Sequence, residues 1–565
     1  MFTPDLTPVP GSLALSSLVA ALPLLTIFLT LAVLRWKAHW AGLAALAVAV
    51  VVAVAVYGMP PGLAFLSAAE GAAFGLFPIM WIVFTAVWLY QVTVVSGRFN
   101  DLRGAFHLIS DDPRIQAIII AFCFGGLLEA LAGFGAPVAI TGVMLVALGF
   151  SALRAAAVVL LANTAPVAFG AIATPIITAG TLTGIPYTEI GAYVGRQTPL
   201  LAAIVPLLLV LLVDGRRGIR ETWLVAVIVG VAFGIAQFVT ANYISVELTD
   251  IVAALAGLAA AVATLKVWRP AGGDRALERL SSEQDREADD PAPTGGGATT
   301  TAVAVEATTL SEHAAGLTRA RVMMALLPYL LVIAVFSVAK LVPSVADFLT
   351  GTDIEIPWPG LDGAVADPAG KSVDTTVYTF EWLSSPGTLL LLSGALVAMI
   401  YRVPASAAAR ELGAVAYKLR YAFLTVAAVL ALAYVMNLSG QTLTIGTWIA
   451  GTGAAFAYLS PILGWLGTAV TGSDTSSNAL FATLQQTAAK GAGLDPTLLV
   501  AANTSGGVVG KMVSPQNLTI AATSVGLLGQ EAIILRKVLL WSLGLLAVLC
   551  LLIGLQSTVL AWTLP

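Results

Sequence analysis

Apolar residues run along this chain in stretches long enough to cross a lipid bilayer, parted by short polar connections. At about 20 residues per crossing, the pattern predicts about 12 spanning helices, near residues 12–34, 40–57, 72–97, 152–183, 190–213, 222–240, 249–268, 321–343, 386–402, 413–437, 497–527 and 537–561. Two further apolar stretches, 115–150 and 455–489, are broken near their middles by small and polar residues. Each is too long for one helix and too interrupted for two clean spans. A re-entrant helical hairpin, its irregular tip buried in protein, fits such a stretch. The predicted class is an all-α polytopic membrane protein.

Two of the spans share one interruption, A-N-T-x5-G-x4-P. It reads Ala162-Asn163-Thr164, Gly170, Pro175 and again Ala502-Asn503-Thr504, Gly510, Pro515, an offset of 340 residues. The same offset carries the hairpin at 115–150 onto 455–489 and the span at 72–97 onto 413–437. Counting crossings, the first unit starts outside and the second inside. The spacing therefore predicts two inverted-topology repeats, each with a hairpin and a broken transmembrane helix meeting near the bilayer midplane. Residues 1–213 would form the first repeat, 214–269 two connecting helices, 270–318 a disordered cytoplasmic linker, and 319–565 the second repeat. The linker alternates charges over Arg275–Asp290 and then turns Pro-, Gly- and Thr-rich, with few apolar anchors to order it.

Charge placement sets the orientation. Arg35, Lys37, Arg98, Arg114, Arg216, Arg402, Arg420 and Arg536 fall on one side, while the loops at 58–70, 184–189 and 241–248 carry no Lys or Arg. The 344–384 loop holds Lys371 against seven Asp and Glu residues, and Lys490 is an outlying cation on the same side. By the positive-inside rule the sparsely charged side, with both chain termini, is outside. Hydrophobic residues make up 58% of the 565 and charged residues 10%, a balance for lipid and not for water. A net charge of −4 with no basic tract gives no support for a nucleic-acid partner. Cys123 and Cys550 are the only cysteines and sit in apolar runs, which leaves no disulfide framework or cysteine metal site. The first apolar run has no convincing cleavage site and reads as a retained helix.

An interrupted helix exposes backbone N–H and C=O groups at its break. Around the two breaks and tips stand short polar side chains: Asn163 and Thr164 in the first half; Ser473, Thr475, Ser476, Asn503, Thr504 and Ser505 in the second. Such a ring suits a small polar anion, whereas single members could equally bond helix to helix. Ionisable residues at membrane depth are functional candidates. Lys511 and Asp474 could pair with each other as structure, or Lys511 could be the counter-charge for the anion while Asp474 handles a proton or cation. Asp474 and Glu129 are the candidate proton carriers. Glu70 reads as interfacial, and His39, His107 and His313 are assigned no role. No hydrolase, zinc-protease or nucleotide-binding motif is present, and no cofactor is implied. Ion-gradient coupling is the simpler reading; an intramembrane enzyme using Asp474 and Glu129 as paired carboxylates, or a channel, are the rivals from other classes.

The block Leu128-Glu129-Ala130-Leu131-Ala132-Gly133-Phe134-Gly135-Ala136-Pro137-Val138-Ala139-Ile140 resembles a motif of the L-lactate permease family. Asn163–Gly170, Thr471–Asn478 and Ala501–Gln516 are similar to further blocks of it, so the resemblance spans both halves. It implies a secondary active transporter of the cytoplasmic membrane that imports L-lactate and related 2-hydroxymonocarboxylates, D-lactate and glycolate, by proton symport. A sodium-coupled carboxylate transporter is the alternative, and a homo-oligomer remains open. The linker near 270–318 and the acidic 344–384 loop depart from the family pattern.

Overall fold

The computed structural model describes residues 1–107, 109–133, 135–289, 317–368 and 370–565. It is helical almost throughout; the strands among the described residues are one antiparallel pair, Ile354–Pro357 with Val377–Phe380, inside the acidic loop. Nine described helices are long and apolar enough to cross a membrane, or ten if the bent pair Leu13–Ala20 and Leu22–Val33 counts as one. The sequence expectation was about 12. The difference has several sources: two expected spans run together as Thr198–Tyr243, Pro386–Ile400 is short, two segments read as single spans are broken pairs, and the hairpin arms Pro113–Ala132 and Gly453–Thr471 enter the nine. Residues 152–183 and 497–527 each divide into two shorter helices.

Eight helices form the core and are labelled here in chain order. In the first half they are α1 (Pro113–Ala132), α2 (Ala136–Ala147), α3 (Ala152–Ala162) and α4 (Gly170–Thr183). In the second they are α5 (Gly453–Thr471), α6 (Asp474–Ala492), α7 (Pro496–Gly510) and α8 (Pro515–Val525). α1 and α5 start one repeat offset apart, at Pro113 and Gly453. Each pair α1/α2 and α5/α6 is a helical hairpin at the expected place, turning at Gly133–Gly135 and at Gly472–Ser473. Phe134, at the first tip, lies outside the described residues. The halves then exchange contacts: α4 packs on α6, and α8 packs on α2.

The breaks have local causes. Pro166 excludes a helical conformation at the residue before it, and α3 stops at Asn163, its C-terminal cap. The chain turns through residues 164–169 and then holds Ala171, Ile172 and Ala173 in the left-handed region, at φ of 45°, 55° and 57°. Such backbone costs about 1–2 kcal/mol per non-glycine residue, and strain of this kind gathers at functional sites. The second copy differs. The position equivalent to Pro166 is Gly506, so α7 runs unbroken through Asn503 and Thr504 to Gly510. Its break comes later, where Ser514 caps α8 by accepting from the Asn517 N–H and Pro515 opens that helix. The shared A-N-T thus marks a break in the first half only.

Unbroken, α7 crosses α5 at backbone contact. A Cβ on Gly464 would overlap the Asn503 carbonyl, and one on Gly506 the Pro461 carbonyl. Backbone cannot swing aside, so Gly506→Ala should cost about 1–3 kcal/mol, read as a lower melting temperature of the purified protein in detergent. Gly544→Ala, at a helical glycine with open space around it, should not lower it. Equal melting temperatures for the two variants would refute the close crossing.

Around this core stand the long helices Ala38–Ala55, Pro61–Val95, Thr198–Tyr243, Thr249–Val267, Arg319–Leu341, Ala405–Leu438 and Glu531–Gln556. The Thr198–Tyr243 helix contains a kink at Asp214 and Gly215, where two spans were expected. Fully buried Arg114 ties the start of α1 to that kink through Asp112, Asp214 and Glu221. The expected disordered linker is corrected in its first part: Gly273–Asp289 is a helix that buries Ala276 and Leu280. Two apolar residues one turn apart give its otherwise charged sequence a face to pack. Residues 290–316 lie outside the described residues.

Candidate functional site

Both hairpin tips and both breaks border one cavity of about 420 Å³. Gly133 and Glu129 reach it from α1 and its tip, Ala171 and Pro175 from α4, and Ser473, Asp474, Thr475 and Ser476 from the start of α6. Lys511 enters at the second break. The mouth is formed by Lys37, His39 and Tyr421, residues of the side expected to be cytoplasmic. The first turn of a 19-residue helix thus faces the cavity, an end that favours negative charge.

The charge at the floor is an ion pair across the two halves. Lys511 Nζ lies 2.5 Å from Glu129 Oε1, both side chains at most 10% exposed. Of the two alternatives left open for Lys511, the direct pair with Asp474 is not formed; its partner is Glu129. Helix α3 ends at Ala162, before Pro166, and Gly170 lies against Glu129, where a Cβ would crowd Oε1. Asp474 sits elsewhere in the cavity. Its Oδ1 accepts from Thr468 Oγ1 at 3.3 Å, and Oδ2 is buried with no partner, as is Glu129 Oε2. A Cβ on Gly507 would overlap Asp474 Oδ1. Each carboxyl is therefore seated in a space that only glycine leaves. Groups of three or more His, Cys, Asp or Glu able to hold a metal are absent among the described residues.

The remaining candidates separate. Asn163 and Thr164 border a narrow void beside Lys511, Met512 and Asn517. Asn163 Oδ1 is buried there without a partner, while Thr164 Oγ1 is bonded to the Leu161 carbonyl. Asn503, Thr504 and Ser505 face away from the cavity into a buried polar network. Asn503 Nδ2 donates to Asn478 Oδ1 at 2.8 Å, Asn478 Nδ2 to Thr504 Oγ1 at 2.9 Å, and Ser505 Oγ to Gln197 Oε1 at 2.6 Å. Residues mid-helix in α7, with their bonding capacity met by neighbours, hold helices together. Their geometry follows from the missing break in the second copy.

Sequence reasoning missed the mouth. His39 is buried and stacks on Tyr421 at 4.8 Å between ring centroids; its position beside Lys37 was the available signal. Glu70, expected at an interface, is 1% exposed with neither oxygen bonded. Gln197, and Gln485, whose Nε2 donates to Asn503 Oδ1 at 3.3 Å, belong to the polar network and were not among the sequence candidates.

An all-α membrane protein whose two halves close a charged cavity between hairpin tips defines a transport protein. The chain belongs to the L-lactate permease family, whose model matches residues 16–560; that is a family of permeases and not of enzymes. It is 40% identical to the L-lactate permease of Bacillus subtilis (strain 168) over 100% of both chains. It is equally 40% identical to the glycolate permease GlcA of Escherichia coli (strain K12), over 97% of each, and to the L-lactate permease of that strain, over 98% of each. The crystal structure of the Alcanivorax borkumensis YdaH transporter aligns with 75% of this chain and 86% of its own at a TM-score of 0.28 and 15% identity, too loose a likeness to define topology.

Proposed function

We propose that this protein imports L-lactate, with D-lactate and glycolate, across the cell membrane by proton symport. The observation that carries the reading is the Lys511–Glu129 pair on the floor of the cavity. A buried cation held by a carboxylate can be released by one proton. When Glu129 is protonated, Lys511 loses its partner and is free for the carboxylate of the substrate. When Glu129 gives up its proton, it reclaims Lys511 and displaces the anion. Proton and anion therefore bind together and leave together, which is symport.

The start of α6 would orient the substrate: the first-turn N–H groups other than that of Ser476, which donates to the capping Ser473 Oγ, and the hydroxyls of Ser473, Thr475 and Ser476 suit a carboxylate and a 2-hydroxyl. Asn163 and Thr164, beside Lys511, belong to this reading as groups that flank the carboxylate. Asp474 is the second candidate proton carrier. Asn503, Thr504 and Ser505 act through packing of α7. In this reading the halves are inverted repeats, the reciprocal packing of α4 on α6 and α8 on α2 reflects that symmetry, and access alternates as one part of each repeat moves against the rest. The cavity mouth faces the cytoplasm, with both termini outside.

Labelled L-lactate uptake into proteoliposomes, with a proton gradient or a sodium gradient imposed alone, tests the coupling. Accumulation is expected with protons only. Uptake driven only by sodium would replace proton symport with sodium coupling, and a chemically altered product would remove the transport reading.

A further inference from the structure

A second cavity of about 420 Å³ lies at the other end of α4 and α6. Its walls include Thr183 from α4, Thr483, Gln486, Thr487 and Lys490 from α6, and Thr375 from the acidic loop. The central cavity ends at Pro175 on α4 and Ser476 on α6; this one begins at Thr181 and Thr483. Six to seven helical residues therefore separate the two, about 10 Å at the helical rise. Three bonds join α6 to α4 here, one at the inner edge of that barrier and two at its outer edge. Asn478 Nδ2 donates to the Pro175 carbonyl at 3.0 Å, Thr483 Oγ1 to Leu182 at 3.2 Å, and Gln486 Nε2 to Thr183 at 2.8 Å. All three cross from one half of the molecule to the other and are side chain to backbone, so a sliding of α6 against α4 breaks them together.

The chemistry of the second cavity is that of a weak anion site. Lys490 is exposed and is its lone lysine or arginine among the described residues. The one acidic wall residue, Asp367, turns to its own loop, where Oδ1 accepts from the Lys371 N–H at 2.8 Å. Thr447, Thr483 and Thr487 line the same cavity, their hydroxyls donating to backbone carbonyls and left with acceptor capacity, and Leu182, Leu438 and Leu443 supply apolar wall. The neighbouring loop carries seven acidic residues against one lysine, a field that repels an approaching anion unless a cation marks the entry.

We propose that this second cavity is an outer vestibule in which Lys490 captures the small hydroxymonocarboxylate before it passes between α4 and α6. The proposal rests on the transport reading above. Lys490 holds the carboxylate by charge in open water, while the threonines and the leucine wall fit a hydroxyl and a short carbon chain. The separated Asn478, Thr483 and Gln486 contacts would then open the way to Lys511.

Uptake of labelled L-lactate into right-side-out membrane vesicles tests this. Lys490→Gln should raise the KM for external lactate about two- to fivefold, the range for losing one exposed ionic contact, and Lys490→Arg should restore it. In a Cys550→Ser background, Lys490→Cys treated with a membrane-impermeant cationic thiol reagent should regain affinity. The same variant treated with an anionic reagent should lose more, and lactate should slow both modifications. A wild-type KM in Lys490→Gln, or equal effects of the two reagents, overturns the vestibule while leaving transport intact. If the wild-type protein itself accumulates no lactate, the transport reading fails and the vestibule fails with it.

Discussion

On the proposed proton symport, Glu129→Gln should leave lactate exchange and abolish proton-driven accumulation. Glutamine keeps the shape of the side chain but cannot be ionised, so it mimics the state in which a proton has released Lys511. Lactate preloaded inside proteoliposomes should still exchange with labelled lactate outside, because that cycle keeps the binding site loaded. Accumulation driven by a proton gradient should disappear, because the chain then carries no proton at this position. With no carboxylate competing for Lys511, the variant should bind lactate about tenfold or more tightly than wild type, the worth of one charge-assisted contact. Proton-driven accumulation at the wild-type level in this variant would remove Glu129 as the carrier and shift attention to Asp474, whose Oδ2 is also buried without a partner.

Much of this architecture is legible from spacing, and what is not has a physical explanation. Hairpin tips announce themselves because glycine, serine and proline interrupt otherwise apolar runs, and both tips fall where those residues stand. Positions 340 apart carry the same motif, yet one proline makes the difference between them: Pro166 ends a helix, and Gly506 lets its counterpart continue against α5. A shared motif does not by itself give a shared backbone. Asn503 looked like Asn163 for that reason and is instead part of an internal network. The partner of Lys511 was out of reach of any local pattern, since Glu129 stands 382 residues earlier. Signals did exist: Gly170 and Gly507 each leave room for a carboxylate, but a glycine in a membrane helix is too common to name its neighbour. The mouth escaped for another reason, because Lys37, His39 and Tyr421 sit in segments that read only as basic flanks.

Lys511 tests whether the ion pair is machinery or scaffold. Lys511→Met removes the counter-charge and leaves Glu129 buried beside an apolar chain. Breaking a buried pair from one side costs about 3–5 kcal/mol in the general case, so the variant should melt at a clearly lower temperature. Removing both charges, in Lys511→Met with Glu129→Gln, leaves no orphaned ion and should recover most of that loss. A double-mutant cycle of melting temperatures isolates the coupling between them. Transport separates the two roles. If Lys511 is the anion's partner, the double variant should be stable and yet fail in exchange as well as in accumulation, with lactate affinity reduced about ten- to a hundredfold. Glu129→Gln alone keeps Lys511 and should still exchange, so the two variants part company in the one assay that needs substrate but no proton. Recovery of exchange together with stability in the double variant would make the pair a strut between the halves. The anion would then have to be held by the first turn of α6, where Ser473, Thr475 and Ser476 line the same cavity without any charge of their own.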